Sequence, residues 1–228
     1  MVRIFKTVDD NFLKLVLKVL AVLIVIQILR ASVMGTLWFA VPHPINLTFF
    51  QFFNGLSFVI VGFTLLFFIK PSLNELGLDW NDIRIKTRII YILGIMALIF
   101  LALSPYIMFW EVNLLITGVV SLIVSAFEEL LFRGYIWDKV QRLEIQKRNV
   151  NSGVLTWVTV TLLFSIWHLG YLDAFLINPM GPGNLSMLLV SKIGIGLVLG
   201  FITGFLRLKT GKTYASFMFH GLWNVFAP

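Results

Sequence analysis

The sequence contains no cysteine and few charged residues. Its 228 residues are 13% charged and 59% hydrophobic, and the mean hydropathy is +0.93. The absence of cysteine excludes disulfides, thiolate nucleophiles, cysteine-based zinc sites and prenyl or palmitoyl attachment. A soluble domain of this length could not bury so much apolar surface, so the composition predicts an integral membrane protein.

The apolar residues form seven stretches, each close to the roughly 20 residues that a helix needs to cross a bilayer. The predicted spans are 16–40, 47–69, 89–109, 114–137, 153–173, 185–206 and 212–228. No internal repeat and no soluble domain interrupts them. We therefore expect an all-α, polytopic membrane protein of about seven transmembrane helices in one bundle, with a polar site inside.

The expected organisation is a single membrane domain. Residues 1–113 would supply three N-terminal helices, and residues 114–228 would supply the helices that carry the polar motifs described below. Between the second and third spans, the polar segment 71–88 is expected to form a short interfacial helix with Trp80 at the level of the lipid headgroups.

Lys and Arg residues alternate between the two ends of the predicted bundle. The basic segments are the N-terminus and residues 70–88, 139–148 and 207–212. The connections 41–46, 110–113 and 174–184 contain neither Lys nor Arg. The positive-inside rule then predicts a cytoplasmic N-terminus and an external C-terminus. Because this placement accounts for the net charge of +7, no nucleic-acid partner is expected.

Three charged residues interrupt the fourth predicted span, namely Glu128, Glu129 and Arg133. Each charge costs roughly 2.5–3.5 kcal/mol at a helix centre, so such residues are candidates for a functional site. Glu129 and Arg133 are four residues apart and are expected to pair, whereas Glu128 points about 100° away and is left for chemistry. The alternative is a structural charge cluster at the cytoplasmic end of the helix, with Arg133 reaching the interface.

Polar residues also mark the fifth and seventh predicted spans. His168 follows Phe164 by one helical turn, and His220 and Asn224 are four residues apart on one face. Each feature alone is compatible with helix packing. Combined with Glu128, they provide the groups for hydrolysis. A Glu deprotonates water, a His relays protons or binds a metal, and His with Asn donates hydrogen bonds to an oxyanion.

Three motifs occur in order along the chain: Glu-Glu-x-x-x-Arg at 128–133, Phe-x-x-x-His at 164–168 and His-x-x-x-Asn at 220–224. In these motifs the sequence resembles the CAAX prenyl protease and bacteriocin-processing (CPBP, Abi-type) family of intramembrane proteases. The resemblance covers about 114–228, and the first three spans carry no family motif.

The resemblance implies a role for each motif residue. Glu128 would activate the hydrolytic water with the assistance of His168. His220 and Asn224 would stabilise the oxyanion. The supporting residues would be Glu129, Arg133 and Phe164, of which the charged pair would hold the first motif in place.

A metal is one alternative for the chemistry, because the resembled family has been described both as metalloproteases and as metal-independent glutamate proteases. Glu128, His168 and His220 would supply the three protein ligands that a catalytic zinc needs. The chain lacks the His-Glu-x-x-His helix of zincins. We therefore favour a Glu-activated water, with zinc as the alternative and no other cofactor.

The expected function is an intramembrane endopeptidase that cleaves a membrane-associated peptide, of the CAAX type or another. Its expected partners are that peptide or protein substrate and the lipid bilayer; the oligomeric state is left open. The alternative is a non-catalytic scaffold or regulator, or a bacteriocin self-immunity protein. A transporter or proton channel is a third alternative, although the chain lacks an inverted repeat.

Two further cations lie within predicted spans. Arg30 is expected to face the bundle or a cavity, and Lys192 to extend toward the interface. Small residues at Gly196, Gly200 and Gly204 predict close helix packing.

The depth of His168 does not match that of Glu128 in a simple count. His168 comes about 15 residues into its span, roughly 20 Å deep, whereas Glu128 lies near the cytoplasmic third of its own helix. The two can meet if the fifth helix starts later or tilts, or if the cavity reaches the middle of the bilayer. Gly170 is the candidate for a break in the helix.

Overall fold

The computed structural model describes residues 10–146, 152–171, 176–179 and 184–226. The α-helices are α1 Asp10–Ala40, α2 Leu47–Ile69, α3 Ile85–Phe109, α4 Val112–Glu129, α5 Trp137–Gln146, α6 Ser152–Trp167, α7 Leu185–Thr210 and α8 Thr213–Phe226. A π-helical segment, Leu130–Ile136, joins α4 to α5, and a 3-10 turn, His168–Tyr171, follows α6. These residues form no β-strand, and the all-α prediction is confirmed.

Among the described residues, six helices are long and apolar enough to cross a membrane: α1, α2, α3, the continuous helix Val112–Leu143, Ser152–Tyr171 and α7. The seventh predicted span corresponds to α8, whose 14 residues are roughly 20 Å long. Large apolar side chains such as Phe63, Ile90 and Val190 are exposed on the outside of the bundle, as contact with lipid requires. The prediction of a polytopic membrane bundle is confirmed.

Helix α4 lies between α2, α3 and α8 and packs against all three. Its approach to α3 depends on Gly118, where an added Cβ would lie 2.1 Å from the carbonyl oxygen of Ala102. Since this neighbour is backbone, it cannot move aside without displacing a helix. The absence of a side chain at Gly118 therefore determines how deeply α4 is buried.

Helix α7 packs along α6 through the predicted stripe of small residues. A Cβ on Gly200 would lie 3.3 Å from the side chain of Thr161, and one on Gly204 would lie 2.5 Å from that of Trp157. The stripe thus allows the close packing that its spacing predicts.

The predicted interfacial helix over 71–88 is wrong, because residues 71–84 form turns and α3 already begins at Ile85. Gly77 adopts a φ of +66°, in the left-handed region that ends a helix. We call residues 71–84 the connecting loop.

Side chains from α8 and α5 bind the connecting loop. Thr213 Oγ1 donates a 2.7 Å hydrogen bond to the carbonyl of Leu76. In a helix over 71–88, that carbonyl would instead accept from the backbone N–H four residues later. Lys139 Nζ lies 2.7 Å from Glu75 Oε1, and this hydrogen-bonded ion pair lowers the pKa of Glu75 to about 2. Polar contacts with the bundle therefore replace the expected internal hydrogen bonds of a helix.

Replacement of Gly118 by Ala tests the close contact of α4 with α3. We expect Gly118→Ala to destabilise the protein by about 1–3 kcal/mol, because overpacking displaces backbone. Thermal unfolding in detergent measures the change. Gly35→Ala is the control, since a Cβ there meets nothing within 4 Å. Equal unfolding temperatures for the two variants would contradict the packing argument.

Candidate active site

Glu128 lies one residue before the end of α4, and its side chain is 2% exposed. Its Oε1 accepts a 2.7 Å hydrogen bond from the indole Nε1 of Trp167 and a second one from the hydroxyl of Tyr171. Its Oε2 lies 3.6 Å from Nε2 of His220. One carboxylate oxygen is thus held by two donors, while the other is next to an imidazole.

Glu129 connects the first motif to the last. Its Oε1 lies 2.8 Å from Nδ1 of His220 and 3.2 Å from Nη1 of Arg133. The predicted Glu129–Arg133 pair is confirmed as an ion pair, although its geometry is not that of a hydrogen bond. Because an ionised carboxylate only accepts hydrogen bonds, Nδ1 of His220 carries a proton and Nε2 is directed toward Glu128.

Arg133 is fully buried, and contacts beyond Glu129 compensate it. Its Nη2 donates a 3.1 Å hydrogen bond to the carbonyl of Gly200 on α7, and its guanidinium lies 4.1 Å from the ring centroid of Phe164 on α6. The alternative of a charge cluster at the interface, with Arg133 extended to solvent, is therefore wrong. Phe164 supports the site by covering this cation.

His168 begins the 3-10 turn that follows α6. Its Nδ1 lies 2.8 Å from the carbonyl oxygen of Phe164, which can only accept, so Nδ1 carries the proton and the neutral ring has its lone pair at Nε2. The helix ends at Trp167, as expected from Gly170, and Trp167 itself reaches Glu128. Because Trp167 directly precedes His168, this contact places His168 at the depth of Glu128 in the bundle.

Asn224 lies on α8 one turn after His220. Its Nδ2 donates a 3.0 Å hydrogen bond to Oγ of Ser125, and its backbone carbonyl oxygen accepts one of 3.1 Å from Ser121. Ser125 therefore positions the side-chain amide, and Ser121 binds the backbone of the same residue. Since an Asn amide has two N–H donors, the hydrogen bond to Ser125 leaves one for another acceptor.

The sequence did not single out Trp167 and Tyr171, the two donors to Glu128. They flank His168 in the run WHLGY, and Tyr171 lies one turn of the 3-10 segment beyond it. Apolar helices contain many aromatic residues, so this pattern alone does not distinguish a donor from a packing residue. The spacing to His168 is the signal that was available.

Arg30 faces the bundle, as expected, and its partners are now identified. Its Nη2 donates a 3.2 Å hydrogen bond to the carbonyl of Gly170, and its guanidinium lies 5.0 Å from the ring centroid of Tyr171. Gln27, which accepts a 2.9 Å hydrogen bond from Arg30, donates one of 3.1 Å to the carbonyl of Trp167. Helix α1 thereby holds the turn that supplies both donors to Glu128.

A cavity of about 610 Å³ brings the candidate residues together. Its polar lining includes Glu128, His168, Tyr171, Lys192, His220 and Asn224. All four residues predicted to be catalytic therefore share one space. Lys192, expected to extend toward the interface, lies in the wall of this cavity as well.

The described residues do not form an assembled zinc site. Among the residues that the structure describes, no three His, Asp or Glu side chains are grouped so that they could hold a metal ion. The Nδ1 atoms of His168 and His220 are engaged by Phe164 and Glu129, a pattern that leaves Nε2 of each ring available and is common for histidine ligands of metals. The zinc alternative stays a prediction of the sequence, and no step below uses a metal.

The arrangement has the parts of an acid–base site. Glu128 offers an oxygen without a described donor at the cavity, and His168 offers a ring nitrogen. On α8, Asn224 offers an N–H group, and His220 offers Nε2, which is a donor when it carries a proton. Such a set can deprotonate a water, bind a developing oxyanion and return the proton to a leaving group.

Replacement of Glu129 by Ala tests the buried charge network. We expect Glu129→Ala to lower stability by about 3–5 kcal/mol, because it leaves the guanidinium of Arg133 without its buried counter-charge. Thermal unfolding in detergent measures the loss, and Glu129→Ala/Arg133→Met should regain part of it. Glu75→Ala, which breaks a more exposed pair, is the control. An effect of Glu129→Ala no larger than that of Glu75→Ala would contradict this account.

The chain matches the family model described as type II CAAX prenyl endopeptidase Rce1-like over residues 109–226, just over half of its length. Comparison with curated proteins and with solved structures gives no significant match. The matched range contains all three motifs, whereas α1 and α2 lie outside it. The protein, as the resemblance predicted, belongs to the Rce1-like family of type II CAAX prenyl endopeptidases.

Proposed function

We propose that this protein is an intramembrane endopeptidase in which Glu128 activates a water molecule for attack on a peptide bond. Family membership supports a protease-type enzyme. The observation that carries the mechanism is the placement of the Glu128 carboxylate. It is buried, anchored through Oε1 and in contact with the cavity, with Oε2 near His220.

The hydrogen bonds to Oε1 of Glu128 support its other oxygen, Oε2, as the base. Trp167 and Tyr171 occupy Oε1, so Oε2 is the atom that accepts a proton from water. As the water oxygen forms its bond to the carbonyl carbon, the proton passes to Glu128. The lone pair at Nε2 of His168 orients the same water as an acceptor of its second hydrogen.

The oxyanion would be stabilised from α8. With a proton on each ring nitrogen, His220 would donate from Nδ1 to Glu129 and would hold its Nε2–H beside Oε2 of Glu128 at the cavity. The free N–H of Asn224 is the second donor. Preorganised donors of this kind act strongly in a site of low dielectric, because they need no reorientation as charge develops.

The proton then returns to the leaving group. When the carbon–nitrogen bond breaks, Glu128 donates the proton taken from water to the departing amine, which restores the carboxylate. The products are a new carboxyl terminus and a new amino terminus. The water molecule supplies all the atoms that are added, and no further reactant is required.

Replacement of Glu128 by Gln tests this proposal. The amide keeps the size of the side chain but cannot act as a base, so we expect cleavage to fall by roughly 10²–10⁴-fold. Comparative proteomics of membranes from cells with wild-type protein or Glu128→Gln identifies the precursor that accumulates. The purified protein then cleaves that precursor for rate measurement.

Glu111→Gln is the control for this variant, because Glu111 is exposed at the start of α4 and makes no side-chain capping bond. Full cleavage by Glu128→Gln at equal expression would refute the proteolytic mechanism. A cellular phenotype that persists in Glu128→Gln would instead support the alternative of a scaffold, regulator or immunity protein.

Replacement of Tyr171 by Phe tests the anchoring of Glu128. Hydrogen bonds to charged groups contribute about 1.5–3 kcal/mol, so we expect a fall in kcat of roughly tenfold or more with little change in KM. The control is Tyr106→Phe on α3, which also removes one phenolic hydroxyl. An unchanged kcat for Tyr171→Phe would show that Trp167 alone suffices.

A further inference from the structure

The cavity that contains Glu128 also contains a permanent cation. Among the described residues that line it, Lys192 on α7 is the one Lys or Arg, and Glu128 is the one acid. Charged residues within a span are costly to bury, so they mark candidate functional positions. The hydrolysis proposed above uses the four predicted catalytic residues and leaves Lys192 without a role.

Lys192 lies on the face of α7 that contacts His168. Gly196 follows it by four residues, and a Cβ on Gly196 would lie 3.0 Å from Nδ1 of His168. Because residues four apart share a helix face, the side chain of Lys192 leaves α7 about one turn before the level of the His168 ring. The ammonium is also close enough to this ring for an electrostatic interaction. The cation therefore belongs to the immediate surroundings of the candidate acid–base site.

The described residues provide no counter-charge for Lys192. No Asp or Glu in the described ranges forms an ion pair with it. The carboxylate of Glu128 is already engaged, through Oε1 by two donors and through Oε2 by the neighbouring imidazole. The side chain of Lys192 is exposed, so a ligand in the cavity can reach it. A bound anion would compensate a charge that apolar helices otherwise surround.

We propose that Lys192 binds a carboxylate of the peptide substrate and so selects peptides with an acidic group close to the cleaved bond. An unmodified peptide carries its negative charges at neutral pH on carboxylates, either at its C-terminus or on Asp and Glu side chains. An extended peptide advances about 3.3 Å per residue, and Lys192 is about one helical turn from His168. The bound carboxylate would therefore lie within about three residues of the cleaved bond. This inference rests on the proposed function, because it describes the substrate of that reaction.

Neutral variants of the enzyme and of the peptide test this contact together. The probe is a peptide that spans the cleavage site of the precursor accumulating in Glu128→Gln cells. Each nearby carboxylate is replaced in turn, Asp by Asn, Glu by Gln and the C-terminal carboxylate by an amide. We expect Lys192→Met to lower kcat/KM for the native peptide roughly 10- to 100-fold, because a hydrogen bond between charged groups is lost. One carboxylate replacement should lower it equally, and its position identifies a side chain or the C-terminus as the bound group.

The combination of both changes separates recognition from a structural role. On the peptide that lacks the bound carboxylate, the loss caused by Lys192→Met should be several times smaller, because the contact is already absent. Lys192→Arg keeps the charge and should retain most of the activity. Lys209→Met is the matched control, since it removes an exposed cation of α7 outside the cavity lining.

Three results would overturn the proposal. One is an equal loss in Lys192→Met on the native and the neutral peptides, which would indicate a structural role. Another is an unchanged kcat/KM for the native peptide, which would leave Lys192 as a cation directed to the lipid headgroups. The third is a cleavage site with no carboxylate within about three residues of the cleaved bond.

Binding measured without cleavage keeps this inference distinct from the protease itself. The affinity of the native peptide is compared between Glu128→Gln and Glu128→Gln/Lys192→Met in detergent. We expect the double variant to bind roughly tenfold more weakly. Equal affinities would refute the role of Lys192 while cleavage by the wild type still supports the protease. Full cleavage by Glu128→Gln would refute the proposed mechanism, whatever the two affinities are.

Discussion

The buried contact between Glu129 and His220 organises the rest of the site. It joins the first motif on α4 to the last motif on α8, and the guanidinium of Arg133 holds the same carboxylate from the other side. Ions in a setting of low dielectric are stable only when their partners stay in place, because separation leaves a charge without compensation. The relative positions of α4, α7 and α8 are therefore coupled to the geometry around Glu128.

The N-terminal helices contribute to this geometry although the family match begins only at residue 109. Arg30 and Gln27 on α1 bind two carbonyls of the segment from Trp167 to Gly170. Tyr171 directly follows that segment, so a cation outside the matched region stacks on a donor to the candidate base. A functional centre defined by motifs is in this way completed by a helix without one.

Much of the fold follows from hydropathy, since the long apolar stretches became helices within a few residues of their expected ends. The pairing of Glu129 with Arg133 follows from helical spacing alone. The partners of Arg30 and the roles of Trp167 and Tyr171 depend on which helices become neighbours, which local spacing does not encode. The connecting loop was predicted as a helix because a polar segment between two spans is typical of an interfacial helix. The side chains of α8 that bind its carbonyls are distant in sequence, so no local pattern indicated them.

The π-helical segment, Leu130–Ile136, has a consequence for how this protein can change in evolution. A π turn contains about one residue more than an α turn. Deletion of one residue there would restore α geometry and leave α4 and α5 in nearly their present orientations, because the π turn accommodates the extra residue. A one-residue deletion in the regular turns of α4 would instead rotate all that follows by about 100° and turn the buried Trp137 and Val140 toward lipid or water. Chain length is thus freer to change by one residue in this stretch than in the α-helical turns that flank it.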